Sequence, residues 1–383
     1  MPRHLTLPCI AALALGAATA ASAQTPGITL FGDARLGLGY NIRNNGQPAL
    51  VATREQSVVV GVDPATGADV TEDVVTVLGG TNDFRAVSRV RFGVIMVGES
   101  DSGINFGATI RADNSAAGEG GTRGQRAGNV FVTGNWGTLT FGDTSGADQS
   151  RVANPTENVS LTGLGDFDEL PFLSNGGGAD NDALQFLAHP DDRPTVRYDY
   201  DFGNLGLSLS TNSNLDSVGA GASYTLVLDR GEVSAGLGYY DFTEFTSNVR
   251  DYGLVLVPDG HQWSASVTGT YDWLEAGVGY ASIRAGDLGE LDVLAVGAGA
   301  VLGEFRVYGY YTSVIDGDKE FGEAFDGRDS YGVTLSYALG GGITLRTGVA
   351  RTYGADAVGT RGGDFAPAVD SETIADFGLG MNF

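Results

Sequence analysis

Three arginines of one segment, Arg85, Arg89 and Arg91, fall on positions of one parity, and Ala86, Val90 and Phe92 fall on the other. Successive side chains of an extended strand point to opposite faces, so the guanidinium groups share one face and the apolar groups the other. Arg35 and Arg111 lie on the polar faces of their own segments in the same way. Fixed cations on one face break no bonds; they attract anions and orient dipoles. Carboxylates are concentrated elsewhere, between residues 144 and 194, with Asp148, Asp166, Asp168 and Glu169 as the candidates for an opposing acidic face. Glu157, Asp180 and Asp182 in the same stretch are read as solvated loop acids, the usual lot of loop carboxylates.

Other groupings suggest catalysis or metal binding and fall short of it. Gly142-Asp143-Thr144-Ser145-Gly146 has the surroundings of a serine nucleophile, but that chemistry needs a histidine base held against the hydroxyl. His189 and His261 stand in no such context. The run from Gly176 to Asp182 resembles one copy of a calcium-binding glycine-aspartate repeat, and such sites need stacked copies. Asp316-Gly317-Asp318 and the acidic loop offer oxygens suited to a hard divalent cation, so a structural calcium is conceivable without a nameable ligand set. Two histidines and no cysteine outside the leader argue against zinc or iron. No cofactor is expected, and the chain does not read as an enzyme.

These side chains would be positioned by strands. Segments near the 9 to 11 residues of a tilted membrane strand recur along the chain. They run over 28–41, 84–97, 103–113, 129–134, 138–143, 195–201, 205–211 and 218–227, then 232–240, 262–271, 274–282, 291–302, 305–313, 330–338, 343–351 and 373–383. The total is about sixteen, and joints alternate between tight Gly/Asp/Asn turns and long acidic stretches, of which 42–83 contains a further small hairpin around Asp63-Pro64. Tyr40, Tyr198, Tyr200, Tyr224, Tyr239, Tyr271, Tyr280 and Tyr337 fall near strand ends, where interfacial girdles place them. No apolar run after residue 23 approaches the ~20 residues of a transmembrane helix. A membrane crossing would therefore need a closed barrel, since lipid offers no partner for unpaired backbone groups.

Both ends agree with export to a membrane. Arg3 and His4 precede an apolar run that closes at Ala21-Ser22-Ala23, the pattern of a cleavable signal peptide over residues 1–23. The sole cysteine, Cys9, lies within it, so the exported chain has no disulfide. At the other end Phe377, Leu379, Met381 and Phe383 share a face opposite Asp376, Gly378, Gly380 and Asn382. The precursor has 22 basic and 47 acidic residues, and loss of Arg3 leaves 21 against 47, a mature net charge of −26. Nucleic acid is an improbable partner for such a chain. Sixty glycines and 18% charged residues are unusual for a soluble enzyme.

The opening strand Ile28-Thr29-Leu30-Phe31-Gly32-Asp33-Ala34-Arg35-Leu36-Gly37, the segment Ser88-Arg89-Val90-Arg91-Phe92, the stretch from Asp101 to Ala108 and the run from Val130 through Asn135-Trp136-Gly137 to Gly142-Asp143 resemble Gram-negative general porins, most closely those of photosynthetic alphaproteobacteria. The resemblance covers the N-terminal third and the last strand, and departs at the insertion 43–83 and the extended loop 144–194. It implies an all-β fold, a transmembrane antiparallel barrel of about 16 strands spanning 24–383, with long extracellular loops and the 144–194 loop folded into the lumen as a constriction. It further implies a homotrimer in outer-membrane lipid and lipopolysaccharide, passing small hydrophilic solutes, with Phe377, Leu379, Met381 and Phe383 read by the barrel-assembly machinery. Placed in such a barrel, Arg35, Arg89, Arg91 and Arg111 must face the lumen, since a charge turned to lipid costs ~2 to 4 kcal/mol near mid-membrane. They would face Asp148, Asp166, Asp168 and Glu169 across an eyelet, with weak cation preference from the acidic mouth. The alternatives are a solute-specific channel, for which inward Tyr308 and Tyr310 are too few to make an aromatic ladder, and a surface adhesin or structural β protein.

Overall fold

The computed structural model describes residues 26–43, 52–62, 69–78, 84–113, 125–157, 159–165, 170–175, 196–212, 214–249, 253–318, 329–353 and 371–383. The signal-peptide segment and the acidic residues Asp166, Asp168 and Glu169 lie outside them. The first half holds β1 (Gly27–Arg43), β2 (Ala52–Val62), β3 (Asp69–Leu78), β4 (Phe84–Glu99), β5 (Asn105–Asp113), β6 (Gln125–Gly134), β7 (Gly137–Gly142), helix α1 (Ala147–Arg151), β8 (Val196–Phe202), β9 (Leu205–Thr211) and β10 (Val218–Val227). The second holds β11 (Gly231–Phe242), β12 (Phe245–Val249), β13 (Gly253–Val257), β14 (Gly260–Tyr271), β15 (Leu274–Ala285), β16 (Gly289–Leu302), β17 (Phe305–Gly317), β18 (Asp329–Gly340), β19 (Ile343–Tyr353) and β20 (Ser371–Asn382).

Sixteen of these strands form one closed antiparallel barrel, in the number and order that the alternation predicts. β1 pairs with β4 on one side and with β20 on the other, so the last strand seals the first and no edge is left open. The remaining four make two hairpins, β2 with β3 and β12 with β13. The first was expected within 42–83. The second was not, because five residues per strand is shorter than any segment the alternation picks out.

The pleat sorts side chains as parity requires. Leu36, Leu38, Val90, Phe92 and Ile110 stay exposed on the outer face, while Arg35, Arg89, Arg91 and Arg111 occupy the alternate positions. All eight tyrosines of the expected girdle have outward parity. Short turns close one end of the barrel; Gly203 and Gly303 sit there at φ +60° and +67°, backbone that favours glycine. The long connections emerge at the other end.

Inside, the wall is not uniformly polar. Phe242, Ile283, Leu291 and Val293 turn inward, and Leu170, Phe172 and Leu173 of the 144–194 loop cover them in one buried cluster. A water-facing wall would leave these groups wet; burying side chains of this size is worth ~1.5 to 3 kcal/mol each.

Candidate functional site

The inserted loop is moored strand by strand around the inner wall. α1 starts it: the Ala147 amide donates to Ser210 Oγ at 2.9 Å, and Arg151 reaches Ser208 Oγ at 2.6 Å, Asp201 Oδ1 at 2.7 Å and the Leu207 carbonyl at 2.9 Å. Asp199, nearly sealed from solvent, lies 3.7 Å from Arg151 and accepts from Arg197 Nε at 2.8 Å. Arg197 also donates to the Ser145 carbonyl, which ties the loop's first residues to β8. Leu173 donates its amide to Gln262 Oε1 at 2.9 Å, and Gln262 Nε2 donates to the Pro171 carbonyl.

Farther round, Tyr308 Oη donates to the Pro155 carbonyl at 2.9 Å, and the Val159 amide donates to Thr334 Oγ1 at 3.2 Å. Arg306 holds Glu157 of the loop on one side and Glu275 of β15 on the other, the latter through bonds of 2.8 and 2.7 Å. Glu157 stays nearly half exposed, as its context suggested, and is in addition a mooring acid paired with Arg306. Asp376 takes the Leu161 amide at 3.1 Å and both the amide and hydroxyl of Thr162 at 2.6 Å. The circuit ends on β1, where Arg35 Nη1 donates to the Leu161 carbonyl at 3.1 Å.

Glycines on the inner face make this approach feasible. A Cβ at Gly221 would meet the Ala147 carbonyl oxygen at 2.1 Å, at Gly236 the Arg151 carbonyl oxygen at 2.2 Å, and at Gly277 that of Pro155 at 2.7 Å. Leu161 lies 2.5 Å from a Cβ at Gly37 and 2.6 Å from one at Gly378. Part of the high glycine content is thus the bed on which the loop lies.

The arginines form the neighbouring stretch of wall. Arg35 and Arg89 are direct cross-strand partners, as are Asp33 and Arg91. Like charges opposite one another destabilise a sheet. Asp33 offsets this, accepting from Arg89 Nη2 at 2.9 Å and lying 3.8 Å from Arg91 Nη1. Arg111 stands beside them on β5, opposite Gly93 of β4. Parity reading overlooked Arg346, which lies over Gly380 on the inner face and interacts electrostatically with Asp33, Arg89 and Asp376. Alternation within β19 was the available signal for it.

Of the four acids expected to oppose the arginines, three lie outside the described residues, and Asp148 does not face the lumen. It is 1% exposed beneath α1, packed against Gly238 and beside the Ser174 hydroxyl. Burial raises its pKa to about 6. Asp148 and Arg151, three residues apart, share the side of α1 that meets the wall, Asp148 over Gly238 and Arg151 over Gly221. Tyr308 and Tyr310 are inward, as parity predicts, but the loop buries both, at 4% and 5% exposure. Among the described residues no three His, Cys, Asp or Glu side chains cluster as a metal site, and Asp318 accepts the Glu290 amide at 2.5 Å.

A sixteen-stranded closed barrel, apolar outside and narrowed by one loop laid along its inner wall, is a membrane channel of the diffusion type. The Gram-negative porin profile matches residues 10–357, and the chain belongs to that family. A protein described as a porin of Rhodobacter capsulatus is 25% identical over 299 residues, covering 70% of this chain and 88% of that protein. A porin structure refined at 1.8 Å resolution superposes with a TM-score of 0.59 at 21% identity, covering 93% of this chain and all of the other. A triple mutant of Rhodopseudomonas blastica porin gives 0.53 at 17% with the same coverage. The chain is an outer-membrane general diffusion porin, a passive channel for small hydrophilic solutes and ions, and not an enzyme.

Proposed function

We propose that solutes pass between the docked loop and the wall carrying Arg35, Arg89, Arg91, Arg111 and Arg346. The observation that carries this reading is the course of the loop's mooring, whose described contacts run from β8 round to β20 and end at Arg35 and Gly37 of β1, where the arginines of β4 and β5 take over the wall. Asp166, Asp168 and Glu169 of the loop would supply the acidic side. Two unit charges ~10 Å apart interact by about 0.4 kcal/mol in water and about 1.7 kcal/mol at an effective dielectric of 20. A field of that size orients sugars, amino acids and ions without trapping them, and excludes apolar solutes that would disorder the aligned water.

Selectivity is weakly cationic in this proposal, since the mature charge of −26 concentrates cations at the mouth within a Debye length of about 8 Å. The arginine wall opposes that preference. Reconstitution into planar bilayers tests both statements. Conductance should step in threes, as trimers require, and the reversal potential in a salt gradient should show modest cation preference that grows in Arg89→Gln/Arg91→Gln. Anion preference in the native protein would contradict the first statement, and an unchanged reversal potential in the double variant the second. The partners that complete the proposal are lipopolysaccharide around the trimer and the barrel-assembly machinery at β20.

A further inference from the structure

The barrel ladder of β11 and β14 ends at the pair Phe242–Gly260, and the β12–β13 hairpin resumes it, in the same register, at Phe245–Val257. Thr243, Glu244, Pro258 and Asp259 lie between and belong to no strand. Proline has no amide to continue a ladder, so the hairpin can bend against the barrel at this break. Alternation counted from β11 would turn Phe245 outward, because Tyr240 and Phe242 hold the inward positions. Instead Phe245 and Val257 are 6% and 2% exposed and join the buried cluster of the inner wall, while Leu256 beside them is 55% exposed. The break thus brings the base of the hairpin over the inner wall.

That cluster joins three parts of the chain. The wall gives Phe242, Ile283 and Leu291, the hairpin base gives Phe245 and Val257, and the inserted loop gives Leu170, Phe172 and Leu173. The Phe245 ring stands edge-on to Phe242 at 5.8 Å between centroids, and Phe242 stacks on Tyr240 at 6.0 Å. The tip of Phe242 fills the space over Gly260, where a Cβ would lie 2.7 Å from it. Two residues farther on, Gln262 accepts the Leu173 amide and donates to the Pro171 carbonyl, so the loop is bonded directly below the hairpin. On the other flank Pro258 lies against Gly286, where a Cβ would be 2.7 Å from Pro258 Cγ. The base of the hairpin is therefore anchored on both neighbouring connections.

We propose that Phe245 and Val257 are positioning residues for the inserted loop. The hairpin clamps the Leu170–Leu173 segment against the wall from the outer end, so the width of the pore depends on a connection outside the constriction. Wall and loop alone would leave the cluster open to water at the mouth. The hairpin closes that side, and a dry, close-packed cluster commits Phe172 and Leu173 to one arrangement. The inference rests on the reading that this loop narrows the channel.

Ser174, next to Leu173 and fully buried, is a site from which docking of the loop can be read. The purified barrel carrying Ser174→Cys, in dodecyl maltoside micelles, would be treated with a charged methanethiosulfonate and its labelling followed by mass, with single-channel conductance recorded on the same samples. Phe245→Ala/Val257→Ala should label severalfold faster than the Ser174→Cys parent and conduct in larger, noisier steps. Both substitutions lie outside the barrel ladder, so heat-modifiable migration should persist. Phe245→Leu, which restores an apolar side chain, should return to the parental rate, and Leu256→Ala on the exposed side should not depart from it. Parental labelling in the double variant would overturn the proposal. So would a lower melting temperature with labelling and conductance unchanged, which would leave the pair a purely structural part, or equal acceleration by Leu256→Ala. Faster labelling at native conductance would keep the clamp and remove the constriction, so the two readings fail separately.

Discussion

At the scale of single residues, the loop depends on a few buried carboxylates whose types the sequence displays and whose duties it does not. Asp376 occurs among the small polar residues of β20, yet it satisfies three donors of the loop. Asp376→Ala would strand the Leu161 and Thr162 amides, a loss of about 2 to 4 kcal/mol in docking. Single-channel recordings should then show larger and noisier open states, with Asp376→Asn intermediate. Asp148 gives a pH dependence. Its carboxyl is favoured neutral when docked, with a pKa raised from 3.8 to about 6 by burial, so the contribution to docking is complete below about pH 4 and is lost as pH rises through 6. A shift of that size corresponds to roughly 3 kcal/mol. Arg151, on the same helix, is committed to Asp199 and Asp201 and does not neutralise it. Open-channel noise should therefore increase between about pH 4 and 6.5 in the native protein, level off above that, and stay flat in Asp148→Asn; a flat native profile would remove this role. Neither assignment was legible in the sequence, because a loop acid buried under a five-residue helix and one left in solvent present the same local pattern. Arginine parity was legible, because a strand offers each side chain two directions and lipid forbids one of them.

At the scale of elements, strands announced themselves and the path of the loop did not. Period-2 alternation with tight Gly/Asp turns is a local signal, sufficient to place all sixteen barrel strands. The β12–β13 hairpin escaped because two five-residue strands carry too few alternations to stand out within an acidic connection. The loop's course is fixed by contacts more than a hundred residues apart, such as Arg306 with Glu157 and Tyr308 with the Pro155 carbonyl. Its trace in the sequence is indirect: inward glycines on β10, β11, β15, β16, β19 and β20, whose missing side chains are the loop's room. Gly279 is the sharpest test at this scale, since a Cβ there would lie 2.6 Å from Leu170 and 2.9 Å from Pro155. Gly279→Leu should leave the barrel closed, because the strand ladder does not use the side chain, and should push the loop off the wall. Heat-modifiable migration on cold gels should persist while conductance changes by well over the noise. Unaltered conductance would mean that the loop does not lie against β15.

At the scale of the whole molecule, a barrel exists only when its two ends find each other, and β20 bears that burden from both sides. It pairs with β19 through eleven register positions and with β1 from Asp33–Asn382 to Arg43–Glu372, and the Phe383 amide adds a bond to the Gly32 carbonyl at 3.0 Å. Phe377 and Phe383 stand outward, 55% and 80% exposed, so packing inside the molecule does not explain their size. Lipid accounts for part of it. We assign the rest, as part of the proposal above, to a step before closure, when β20 would have an open edge and an apolar face that another sheet could receive, as edge strands receive added strands generally. A hydrophilic tag after Phe383 leaves every register pair of β20 intact and spoils only that terminal face. We therefore expect the tagged protein to accumulate as unassembled chain in cells, with its heat-modifiable barrel reduced severalfold, while refolding from urea into detergent micelles proceeds at the native yield. Equal losses in both settings would place the defect in barrel closure itself, and an unaltered heat-modifiable form in cells would deny the last strand any role in recognition.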